Sequence, residues 1–145
     1  MMTPKRLAGE LERRLDGPHA DEHTAATADL AAEAVRFLNY ATGSHSPAGM
    51  EFPSTAYLIT ADLSIAAERM PQLFGQIGRW LAEQLAAGLL GADDDTPPAD
   101  AVAAAHRHLA DAAIRASMLA ADLSRVQNDL AIVNGYGPNR AGRAA

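Results

Sequence analysis

Two histidines and a glutamate stand together early in the chain, in His19-Ala20-Asp21-Glu22-His23. The letters match the H-x-x-E-H motif, in which two His one helical turn apart hold zinc while the Glu activates a water. Catalytic zinc wants three protein ligands, and no third ligand can be identified downstream. The segment also follows Gly17-Pro18 in a polar stretch, where acids in a first helical turn are accounted for by the helix dipole alone. His19, Glu22 and His23 are therefore an alternative metal set only, and no metal or other cofactor is expected.

Three other groups of residues invite chemistry. His106 and His108 bracket Arg107, but two residues apart on a helix they face different ways and cannot share an ion. Asp93-Asp94-Asp95 could meet a hard cation, yet the alternating acids, central Gly and terminal Glu of a calcium loop are missing. Six of the seven aromatics, Phe37, Tyr40, Phe52, Tyr57, Phe74 and Trp80, fall between residues 37 and 80. They predict an aromatic core at one pole or, as an alternative, a ligand pocket lined by Phe37, Tyr40, Phe52, Tyr57 and Trp80 with His45 from a neighbouring loop. No strand is legible, so no phosphate loop can follow one.

The elements that position these residues are helical throughout. Pro98 to Val133 has no Gly, no Pro after the first residue, and apolar residues in an unbroken 3,4 spacing: Val102, Ala105, Leu109, Ala112, Ala116, Leu119, Leu123, Val126, Leu130 and Val133. At about 1.5 Å per residue such a helix runs roughly 54 Å and needs a mate of equal length. Ser54 to Leu90 supplies it, capped by Ser54 and interrupted by Pro71, which imposes a kink or a tight corner. Gly91 to Pro97 joins the two as antiparallel neighbours. Upstream, Pro18 to Ala41 reads as a helix with Leu30, Ala34, Phe37, Leu38 and Ala41 along one side, predicted to pack on the hairpin. Met2 to Leu15 reads as a short amphipathic helix. Residues 42 to 53 form a loop longer than a plain connection requires. The expected class is an all-α antiparallel helical bundle built on a long helical hairpin, organised as residues 1–16, 17–133 and a flexible tail at 134–145.

Composition narrows the function. The chain has 145 residues, a net charge of −6 and no cysteine, which excludes disulfides and thiolate metal sites. Basic residues gather only at Lys5 to Arg14 and at Arg140 and Arg143, too few to cover a duplex, so no nucleic acid partner is expected. Leu73 to Leu90, the most hydrophobic window, is broken by Gln76, Arg79, Glu83 and Gln84, too polar to cross a bilayer. No apolar run precedes the charges of the first 14 residues, and a cytosolic protein is expected. Ile114 and Met118, one turn apart and off the seam, with Ile132 further on, suggest a second apolar side to the long helix, covered by the Pro18 to Ala41 helix or, as the alternative, by a protein partner or a second copy in a homodimer.

The stretches Phe37-Leu-Asn-Tyr-Ala41, Phe52-Pro-Ser-Thr-Ala-Tyr57 and Met70-Pro-Gln-Leu-Phe-Gly-Gln-Ile-Gly-Arg-Trp80 resemble small Ala-rich helical proteins of uncharacterised function from actinobacteria. The resemblance spans residues 30 to 133 and implies a host, but no activity and no site residues. The Trp-x-Gly turn of the WXG-type secretion substrates is missing, since Leu81 and Ala82 follow Trp80. The expected function is a non-enzymatic interaction or structural module that works through helix faces and self-associates. Its rival is a small-ligand-binding or metal-dependent enzyme with a pocket in the bundle core.

Overall fold

The computed structural model describes residues 20–43, 49–93 and 95–133, and every element among them is an α-helix. The expected Met2 to Leu15 helix, His19, His45 and the 134–145 tail lie outside the described residues. The chain divides into two compact units after Gly49.

The first unit contains α1, Asp21–Thr42, with Asp21 and Glu22 in its first turn, where the dipole favours acids. Thr27 and Thr42 bond back to the carbonyls of His23 and Leu38, one turn earlier. The Arg36 guanidinium forks onto the Glu33 carboxylate, its Nε donating at 2.9 and 3.0 Å, which raises the Arg36 pKa above its ordinary value. Both side chains are in water, so the pair adds little to stability. No residue of α1 is buried, and Leu30, Val35, Phe37 and Tyr40 are all exposed. Gly49 lies against the Ala41 carbonyl in the last turn of α1, with no room for a Cβ.

The second unit is the hairpin, α2 (Pro53–Ala86) packed along α3 (Pro98–Leu130). Each helix opens on a proline, whose fixed φ and missing N–H suit a first turn. Phe52, and not the expected Ser54, holds the N-cap position of α2. At 34 and 33 residues the two helices are each about 50 Å long, so they cover one another end to end. Pro71 does not end α2; the helix continues through it to Ala86. What ends α2 is Gly88, at φ +68, followed by Leu89 N–H to Gln84 O and Gly88 N–H to Leu85 O, each at 3.0 Å. This is the Schellman arrangement, open to glycine without strain, and it stops the helix four residues short of the expected Leu90.

The register can be read from two close approaches. The Ser64 hydroxyl reaches the Ala120 carbonyl at 3.1 Å, and a Cβ on Gly78 would lie 3.2 Å from the His106 ring. From Ser64 to Gly78 is 14 residues forward on α2, and from Ala120 to His106 is 14 residues back on α3. The helices therefore keep step across Pro71, which lies midway between the two points.

The fully buried part of the seam is built from small residues. On α2 it follows Tyr57, Thr60, Ser64, Ala67, Pro71, Phe74, Gly78, Leu81 and Leu85, all buried or half-buried in 3,4 spacing. Ala67 is 1% exposed, and the buried residues of α3 are Ala116 and Ala120. A serine side chain can touch the other helix's backbone only if the helices lie close, and these small residues permit that. Ser64 has one hydroxyl proton, spent on Ala120, so Ser124 must donate to Ser64 across their 3.1 Å contact. The buried hydroxyl is thereby satisfied on both sides.

On α3 the expected seam holds at Ala116, Leu123 and Leu130, which are buried or half-buried, and is missed at two positions. Leu119 and Val126 were predicted to face the partner helix, but they are 49% and 42% exposed, while Ala120 and Gln127 take the inward positions. The inward series of α3 takes one step of four in place of three after Ala116, which moves Ala120 and Gln127 inward and leaves Leu123 and Leu130 in place. Val133 stands beyond the helix end and is exposed.

Candidate functional site: an apolar face on the hairpin

Burying small residues leaves the large ones outside. On α2 a second 3,4 series, Ile59, Leu63, Ala66, Met70, Leu73, Ile77 and Trp80, runs beside the seam; its first two members are half-buried and the other five exposed. At about 100° per residue this series lies roughly a quarter-turn from the seam. Leu73 is 51% exposed and Trp80 54%. A helix with two apolar stripes, one of them uncovered, belongs in an assembly with more helices than a hairpin supplies.

Both helices are right-handed and they run antiparallel, so handedness decides which flanks share a side. The flank of α2 with Met70, Leu73 and Ile77 and the flank of α3 with Leu119 and Val126 lie on the same side of the hairpin. The Ser64–Ser124 contact and His106 mark the opposite edge of the seam, whose flanks carry Gln72, Glu68, Arg79, Ser117 and Asn128. The apolar stripe is confined to α2: on α3 the same flank runs His108, Asp111, Arg115, Leu119, Asp122, Val126 and Asp129, and the opposite flank of α2 carries Leu58 and Ile65, 61% and 44% exposed.

The candidate residues read from sequence are scattered on this frame. Tyr57 and Trp80 sit on one continuous helix, 23 residues or about 35 Å apart, so the structure does not bring them together. Phe52 is exposed at the N-cap of α2, and Tyr57 is half-buried one turn later. Phe37 and Tyr40 are exposed on α1, in the other unit. Glu22 and His23 are exposed in the first turn of α1. Among the described residues no three His, Cys, Asp or Glu gather where a metal could be held. Ile114 and Met118 are exposed on the side of α3 turned away from α2, flanked by Arg107, Asp111, Arg115 and Arg125; Ile132 is exposed past the helix end.

Met70, Leu73 and Ile77 are exposed apolar residues that were not singled out from the sequence. The usable signal was the pair of interleaved 3,4 series on α2, one of small and one of large residues. No helix among the described residues is long and apolar enough to cross a membrane. No protein-family model, no curated protein and no solved structure matches the chain.

Proposed function

We propose that the protein is a non-enzymatic interaction module that acts through the exposed apolar stripe of α2. The observation that carries this reading is the Met70, Leu73, Ile77 and Trp80 stripe, exposed along a helix whose inward side is already filled. Water contact with a stripe of this length is unfavourable by about 25 cal/mol per Å² of apolar surface, which a helical partner would recover. An all-helical partner face fits, since ridges of Leu, Ile and Met at helical spacing accept the grooves of another helix. A cytosolic setting belongs to the same proposal, and so does a protein partner in preference to nucleic acid, given the −6 net charge.

The test is the double variant Leu73→Glu/Ile77→Glu, at two positions that contribute little to the seam. Light-scattering mass and affinity capture from the native host are compared with the wild-type chain. The expected result is a wild-type assembly larger than one chain, and a variant that keeps its helical circular dichroism but runs as a single chain without partners. A variant that assembles as the wild type does would overturn the proposal.

A further inference from the structure

We draw no further inference here: the strongest candidate, the exposed apolar stripe of α2 from Met70 to Trp80, belongs to the site already described, and nothing in the structure shows what covers it.

Discussion

Gly75 and Gly78 stand three residues apart in the same helix, yet a methyl group added to each meets different surroundings. At Gly75 a Cβ would have nothing within 4 Å; at Gly78 it would lie 3.2 Å from Cδ2 and Nε2 of His106. In a helix interior, replacing Gly by Ala gains about 1 kcal/mol from propensity alone. Gly75→Ala should realise that gain in full, raising Tm by about 4–8 °C for a domain of this size. Gly78→Ala earns the same propensity term but must push the His106 ring aside. The ring is at the exposed end of a rotatable side chain, so the cost is a fraction of a kcal/mol and the net gain should be about half that of Gly75→Ala, or less. In a His106→Ala background the obstacle is gone, and Gly78→Ala should recover the full gain. The assay is urea unfolding followed by circular dichroism at one fixed protein concentration, since an associating chain has a concentration-dependent stability. The two single variants, His106→Ala and the double variants close the cycle. Equal gains at both glycines, unchanged by His106→Ala, would refute the close approach of α2 and α3 at this point, and the register with it.

Three further outcomes follow from the same frame. Gly88→Ala should cost about 1–2 kcal/mol, the opposite sign to Gly75→Ala, because Gly88 sits at φ +68; a neutral result in the same urea series would count against the Schellman end of α2. Ser64→Val removes a buried hydroxyl that bridges to Ala120 and Ser124 and adds volume where the helices are closest, so a loss of about 2 kcal/mol or more is expected in urea midpoint analysis. Pro71→Ala restores an N–H to the middle of α2 without shifting the register, and a gain of about 1–2 kcal/mol is expected; a loss would mean that the proline ring fills the seam better than a helical hydrogen bond would serve it.

The hairpin was legible in the sequence, but not which residues close it. One long stretch without Gly or Pro after its first residue, an apolar series that resumes at once beyond Pro71 and a short acidic link are local signals, and they placed both helices to within a few residues. The inward side is decided by two properties that a hydrophobic pattern weighs wrongly. Large residues bury more area, which makes Leu73, Ile77, Leu119 and Val126 look like the core. Small residues let backbones approach, which is what Ser64, Ala67, Gly78, Ala116 and Ala120 do here. Where both series share one helix at 3,4 spacing, hydropathy selects the larger, and the hairpin is closed by the smaller.

That inversion is also the reason a functional reading is available at all. If Leu73 and Ile77 had closed the hairpin, its seam would have been thick and self-sufficient and its outer surface polar. With Ala and Ser closing it, the two helices bury little apolar area between them, since Ala67, Ala116 and Ala120 make up the buried hydrophobic set among the described residues. An isolated antiparallel pair with so small a core is poorly stabilised, because conformational entropy of about 1–2 kcal/mol per ordered residue opposes it throughout. The residues that could offset this cost are present, but on the outside. Folding and association are therefore expected to be coupled. Dilution should lower the helical content and the thermal midpoint of the wild-type chain together, by several degrees per tenfold, whereas Leu73→Glu/Ile77→Glu should show the low midpoint at every concentration. A wild-type midpoint independent of concentration, equal to that of the variant, would show that the thin seam suffices and that the exposed stripe has no part in holding the protein together.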